Sequence, residues 1–226
     1  MPAPLCTPEH DFRPPLSAGA RAGLARIRAA LAGPGADTSD YDLNEGRGAA
    51  DPAHLRPAAV LLGLVPADGD LDVVLTTRAG HLRHHAGQVA FPGGKVDMAD
   101  ADLVACALRE AHEEIGLEPS QVRILGAFAA HETVTGYHVT PIVAVIDPGF
   151  RPRPDPGEVA EVFRVPLAHL ADAGAYRIEQ RHWRGTWRRY YTVPYGPYYI
   201  WGATARILRA LADGMANADH GGLDQG

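Results

Sequence analysis

Hydrophobic positions along this chain fall into two alternating patterns, short unbroken apolar runs and stripes that repeat with a helical period. The run Ala58-Ala59-Val60-Leu61-Leu62-Gly63-Leu64-Val65 has the unbroken apolar character of a strand buried on both faces. Asp68-Gly69-Asp70 is a turn signal, and residues 71–77 read as the hairpin partner of that strand. Residues 122–129 and 138–146 predict two more strands around a turn at 133–137, and residues 176–193 predict a hairpin turning at Arg184-Gly185-Thr186. Helical spacing is clearest at residues 101–115. Shorter helices are predicted at 17–31, where Leu24, Ile27 and Leu31 share a stripe, at 165–173 and at 204–212. Strands interleaved with helices predict a mixed α/β domain.

Residues 1–55 differ in texture from the rest of the chain. Residues 1–15 are Pro-rich without an apolar period, which predicts an extended arm; Gly33-Pro34-Gly35 ends the first helix, and 37–51 reads as a loop. The expected organisation is an N-terminal arm and short helix over 1–55, one domain over 56–212 and a frayed tail over 213–226, frayed above all from Asn217.

Composition narrows the class. A chain of 226 residues with 46% hydrophobic and 21% charged residues supports one ordinary core and excludes wholesale disorder. The longest clean apolar stretch falls well short of the roughly 18 residues of a membrane span. Glu9, Asp11 and Pro14 stand where a secretory signal needs an apolar segment. Cys6 and Cys106 make neither a disulfide framework nor a cysteine metal site, so a reducing compartment is expected. A net charge of -6 argues against general nucleic-acid binding. Together these lead us to expect a cytoplasmic protein without a membrane partner.

Candidate chemistry concentrates in residues 91–117. On a wheel of about 100° per residue, Glu110, Glu113 and Glu114 fall within an arc of roughly 100°, nearly opposite Val104, Leu108, Ala111 and Ile115. This predicts a helix with its apolar stripe in the core, three carboxylates on the other side, and Arg109 beside the cluster. Like charges so close repel unless something offsets them. Phe91-Pro92-Gly93-Gly94 supplies a turn whose backbone can approach a ligand, and Gly116 stops the helix. Clustered carboxylate oxygens suit hard divalent cations such as Mg²⁺ or Mn²⁺, with a carbonyl of Gly93 or Gly94 as a further oxygen. For a bare Glu-x-x-Glu-Glu, a solvated acidic surface is the alternative.

The stretch Arg109-Glu110-Ala111-His112-Glu113-Glu114-Ile115-Gly116-Leu117 resembles the second half of the Nudix box, Arg-Glu-hydrophobic-x-Glu-Glu-x-Gly-hydrophobic, although Ala111 is small for its slot. The first half departs from the pattern. Asp100 stands where Glu is usual, and eight residues rather than seven separate it from Arg109. Upstream, Leu75-Thr76-Thr77-Arg78-Ala79, Arg83, Gly87 and Phe91-Pro92-Gly93-Gly94 are similar, with every spacing in agreement, to the Nudix branch that cleaves coenzyme A. Asp97, Asp100 and the longer gap belong to the same likeness, which spans about residues 56–212 and includes the stretches at 133–141 and 200–205.

The resemblance implies a Nudix-type α/β/α sandwich with a mixed β-sheet. It also implies metal-dependent hydrolysis of the pyrophosphate bond of coenzyme A or its derivatives to 3′,5′-ADP and 4′-phosphopantetheine, with Mg²⁺ or Mn²⁺ as cofactor. Glu110, Glu113 and Glu114 are then the metal ligands and, with Arg109 orienting a carboxylate, the catalytic residues. Arg78, Arg83, Gly93 and Gly94 are the substrate-binding candidates, guanidinium being well shaped for phosphate. Many relatives take their base from a carboxylate well downstream, here Glu158 or Glu161, and the residues do not choose between them. Other readings stay open: hydrolysis of another nucleoside diphosphate conjugate such as an ADP-sugar or NADH, a non-catalytic nucleotide-binding Nudix module, or an RNA-interacting one. His81, His84 and His85 lack a cysteine or carboxylate to complete a zinc site, so surface histidines are expected.

Residues 181–201 interleave Trp183, Trp187, Tyr190 and Tyr191 with Arg181, Arg184, Arg188 and Arg189. Such a mixture can stack single-stranded nucleic acid. Alternation in a hairpin favours half-buried strands or a dimer surface instead. The expected partner is a small-molecule substrate, with a homodimer left open.

Overall fold

The structure is a computed structural model that describes residues 16–44, 52–183 and 185–221. In chain order its elements are helix α1 (Ala18–Ala32), strands β1 (Thr38–Ser39), β2 (Arg56–Pro66), β3 (Leu71–Arg78), β4 (Val89–Ala90) and β5 (Gly93–Lys95), then helix α2 (Leu103–Ile115). Strands β6 (Val122–Ala127), β7 (His131–Glu132), β8 (Tyr137–Ile146) and β9 (Val159–Pro166) come next. Helix α3 (Leu167–Ala171), strands β10 (Arg177–Trp183) and β11 (Thr186–Thr192), and helix α4 (Gly202–Gly221) complete the order.

Strand β2, which contains the apolar octad, organises a mixed sheet. It runs parallel to β8 from Arg56↔Tyr137 to Leu64↔Val145. Its other edge is shared, antiparallel, by β5 at residues 58–60 and by β3 at residues 64–66. Strand β9 closes on β3 from Asp72↔Pro166 to Arg78↔Val159. Successive side chains of a strand point to opposite faces, so the octad divides between two cores. Leu62 and Leu64 join Val73, Leu75, Val143 and Val145 beneath α1, α3 and α4. Ala59, Leu61 and Val65 meet Ile142, Ala144 and Ile146 beneath α2. Both faces are covered, which is why the octad shows no polar alternation. The result is an α/β/α sandwich around a mixed sheet.

The structure differs from expectation at several elements. Strand β9 is added, and it takes Val165 and Pro166 from the helix predicted over 165–173, which is confined to Leu167–Ala171. Helix α1 belongs to the core, not to an appendage. Ser17 caps it by accepting the Ala20 N–H at 3.0 Å, its hydroxyl donates to Gly69 O at 2.9 Å, and Leu24 and Ile27 are buried among sheet residues. Residues 38–39, expected in a loop, pair parallel with His131 and Glu132. Helix α4 continues through Gly221 instead of fraying after 212, because Met215 is fully buried. The expectations for residues 1–15, 45–51 and Arg184 lie outside the described residues. No helix among the described residues is long and apolar enough to cross a membrane.

Candidate active site

Two end signals define α2. Asp102 caps it, its carboxylate accepting the Ala105 N–H at 2.7 Å, and Gly116 closes it at φ 68°, a left-handed value that favours glycine. The side facing the sheet is built from small residues, Cys106, Ala107 and Ala111, with Ile115 at the end. Small side chains let the helix lie close to β2 and β5. Glu114 is carried on this same inward side and is only 3% exposed. That corrects the expectation of two opposed faces. The wheel gave the angles between residues correctly, but the sheet lies on the Ala107–Ala111 side and leaves Leu108 only partly buried.

The glycine turn is shaped around these carboxylates. A Cβ on Gly94 would stand 2.5 Å from Glu110 Oε1, so this carboxylate rests directly against bare backbone. Gly93 adopts φ 152°, and its N–H donates to Glu114 Oε2 at 3.1 Å. On the other side of Glu114, Arg78 Nη1 lies 3.8 Å from Oε1. Burial pushes the Glu114 carboxyl up to about 7; the Gly93 hydrogen bond and Arg78 pull against this, while Glu110 and Glu158 push the same way. Glu110 is raised as well, chiefly by burial, with Arg109 opposing.

Arg109 sits within the acidic cluster, not beside it as the wheel suggested. Its Nε and Nη2 donate to the two oxygens of Asp100 at 2.8 and 2.9 Å, and its Nη1 donates to Glu110 Oε1 at 2.9 Å and Glu113 Oε2 at 3.0 Å. Hydrogen bonds from Arg109 hold the Asp100 carboxyl well below the usual carboxylate range. Asp100, the residue at which the motif departs, is therefore the planar partner of the guanidinium fork. Cys106 lies nearby, its Sγ 3.5 Å from Lys95 O, and burial pushes its thiol up to about 11.

Arg83 is not drawn into this cluster. It stands exposed with His81, His84 and His85 on the loop joining β3 to β4. The two downstream carboxylates separate clearly. Glu158 is next to the end of β3, its carbonyl accepting the Ala79 N–H at 2.8 Å, and its charge acts on both Glu110 and Glu114. Glu161 instead accepts the Tyr198 hydroxyl at 2.8 Å.

The NUDIX domain family matches residues 54–186, more than half of the chain. The chain is 45% identical over 164 residues to the uncharacterized Nudix hydrolase NudL of Shigella flexneri serotype 5b, across 72% of this chain and 84% of that protein. The chain belongs to the Nudix family. A second relative, NudL of Salmonella paratyphi B, is 46% identical over 159 residues, across 70% of this chain and 81% of its own. Among solved structures, a Nudix hydrolase from M. smegmatis, RenU, is similar at 26% identity and a TM-score of 0.44, over 51% of this chain and 73% of that one. The coarse activity is that of a Nudix hydrolase on a nucleoside diphosphate-linked substrate, and such enzymes generally use divalent ions such as Mg²⁺ or Mn²⁺.

The residues present fit such a cation. Among the described residues no three His, Cys, Asp or Glu side chains are gathered as a metal cage, and Arg109 takes an oxygen from both Glu110 and Glu113. The donor set is nevertheless all carboxylate oxygen, and Glu114 is buried with two further acids acting on it. The folded-state value of Glu114 stands above its ordinary 4.5, so the stability it contributes is full at low pH and is lost as pH rises from about 4.5 to about 7. A cation held by Glu114 would compete with that proton. Mn²⁺ is expected to raise the Tm by several degrees near pH ~8, to leave it unchanged near pH ~5, and to have no effect on Glu114→Gln at either. A shift of the same size at both pH values would remove Glu114 from the metal set.

Proposed function

We propose that this Nudix hydrolase cleaves the pyrophosphate bond of coenzyme A or its derivatives, giving 3′,5′-ADP and 4′-phosphopantetheine. The observation that carries the reading is the guanidinium at the end of β3. Arg78 comes from the Leu75-Thr76-Thr77-Arg78-Ala79 stretch and lies against Glu114, and its Nε is buried without a hydrogen-bond partner among the described residues. A guanidinium with an unused donor beside the acidic cluster suits a pyrophosphate oxygen. Arg83, further along the same stretch and open to solvent, suits the 3′-phosphate that distinguishes coenzyme A from plain ADP conjugates.

In this reading Glu110 and Glu114 would hold Mg²⁺ or Mn²⁺, with Glu113 in support. The cation, when bound, supplies Lewis-acid charge at the pyrophosphate oxygens. Gly93 and Gly94 keep the turn free of side chains, so substrate can approach the backbone. Arg109 positions Glu110 and Glu113 and is itself fixed by Asp100. Glu158, exposed and within electrostatic reach of both inner carboxylates, takes the proton of the attacking water on a carboxylate oxygen. Water oxygen bonds to one phosphorus as the bridging P–O bond breaks, and the bridging oxygen leaves with the other half.

Steady-state kinetics test the substrate assignment. Arg83→Ala is expected to raise the KM for coenzyme A about 10-fold and to change that for 3′-dephospho-coenzyme A little. Equal increases on both substrates would reassign Arg83 to the pyrophosphate or to the loop's structure. Faster turnover of ADP-sugars or NADH than of coenzyme A would move the enzyme to another Nudix substrate class.

A further inference from the structure

The β10–β11 hairpin forms a sheet of its own, apart from the main one. Strand β11 is covered on its outer side. The Asn44 side chain brackets the Arg189 main chain, donating to its carbonyl at 3.0 Å and accepting its N–H at 2.8 Å, and Thr192 bridges to Trp201. Strand β10 pairs with β11 and with no other strand among the described residues. Arg177, Ile178, Gln180, Arg181 and His182 along it are all exposed. An open strand edge is a template for another strand, and a two-stranded ribbon is marginal alone. Two details of the hairpin sharpen the point. Arg181 stands directly opposite Arg188, on the same face of the ribbon as Glu179. On the other face, Ile178 and Trp187 are 45% and 62% exposed.

We propose that β10 is a dimerisation strand, pairing antiparallel with β10 of a second copy about a two-fold axis at Gln180. Such an axis sets one residue opposite itself, so the choice of centre fixes every pair. A centre at Glu179 would oppose two glutamates and set Arg177 against Arg181. A centre at Arg181 would oppose two arginines, and a centre at Ile178 would pair only residues 177–179 of the seven-residue strand. The centre at Gln180 sets Glu179 opposite the partner subunit's Arg181, twice by symmetry, and lets the two Gln180 amides face each other. The Tyr199 hydroxyl donates to Glu179 Oε2 at 2.6 Å. On the opposite face Ile178 lies between its own Tyr191 and the partner subunit's His182, with the partner subunit's Trp187 next in the row. Both exposed apolar side chains are covered by the same pairing.

A seven-residue pairing buries less than the ~1,600 Å² of a standard interface, so a micromolar association is expected. Sedimentation of the full chain tests it. Wild type is expected to dimerise, Glu179→Arg and Arg181→Glu to raise the Kd about 10-fold or more each, and the double variant to recover most of that loss because the pair is only exchanged. Gln180→Cys in a Cys6→Ser background is expected to cross-link into disulfide dimers under mild oxidation, since directly opposed residues have Cα atoms ~4.5–5.5 Å apart. Gln180 is exposed, so this variant reports on the pairing even where a charge swap unfolds the hairpin. A chain that stays monomeric at high micromolar concentration, a dimer indifferent to Glu179→Arg, or a Gln180→Cys variant that fails to cross-link would each overturn the proposal.

Discussion

Replacing Glu114 by Gln is expected to lower the rate of hydrolysis at least ~10²-fold while the fold survives. The amide keeps the volume of a side chain that is 3% exposed, and it can still accept the Gly93 N–H, so packing against β5 and Arg78 is retained. The charge that would hold a divalent cation is removed. Burial already drives this carboxyl toward its neutral form, so the substitution relieves an unfavourable buried charge and the metal-free protein should be no less stable. The check is a pair of measurements on one preparation, the turnover number and the denaturant midpoint. Wild-type turnover with an unchanged midpoint would exclude Glu114 from the chemistry.

Gly93→Ala should fail for a different reason. At φ 152° a side chain is strained, and its Cβ would stand 2.5 Å from Ala59 O and 2.6 Å from Val60 Cα. Both obstacles are backbone and cannot swing aside, so β5 must lift from β2 and carry away the N–H that Glu114 accepts. A loss of ~2–4 kcal/mol in stability is expected, with turnover falling further than the folded fraction alone explains. Gly80→Ala is the control, since nothing lies within 4 Å of the added atom. Its cost should stay within ~0.5 kcal/mol. Equal stability of the two variants would contradict the packing of β5 on β2.

Much of the fold could be read locally where local chemistry decides it. The octad of β2 is unbroken because both its faces are covered, and α2 carries its own stop signals in Asp102 and Gly116. Strand β9 is hidden from a local reading because its partner, β3, lies 81 to 94 residues earlier, and nothing in residues 159–166 announces that pairing. At the site, the residues of the acidic helix were visible but their orientation was not. A wheel fixes angles between side chains, and only the docked sheet decides that Glu114 turns inward while Glu113 turns out. Arg109 was placed beside the cluster because its anchor, Asp100, is brought back only by the turn after β5, where Asp100 Oδ2 accepts the Asp97 N–H at 2.8 Å. Glu158 and Glu161 look alike in sequence, and only the fold sets the Tyr198 hydroxyl against Glu161. Arg83 is picked out by its spacing and its guanidinium, and the fold places it in solvent, outside the acidic cluster.

The substrate is the central claim, and product analysis tests it most directly. The purified 226-residue chain would be incubated with coenzyme A and Mg²⁺ or Mn²⁺, and the products separated and weighed by mass spectrometry. The expected result is equal amounts of 3′,5′-ADP and 4′-phosphopantetheine, formed only when the cation is present. Coenzyme A recovered intact, from a preparation that hydrolyses an ADP-sugar or NADH under the same conditions, would contradict it.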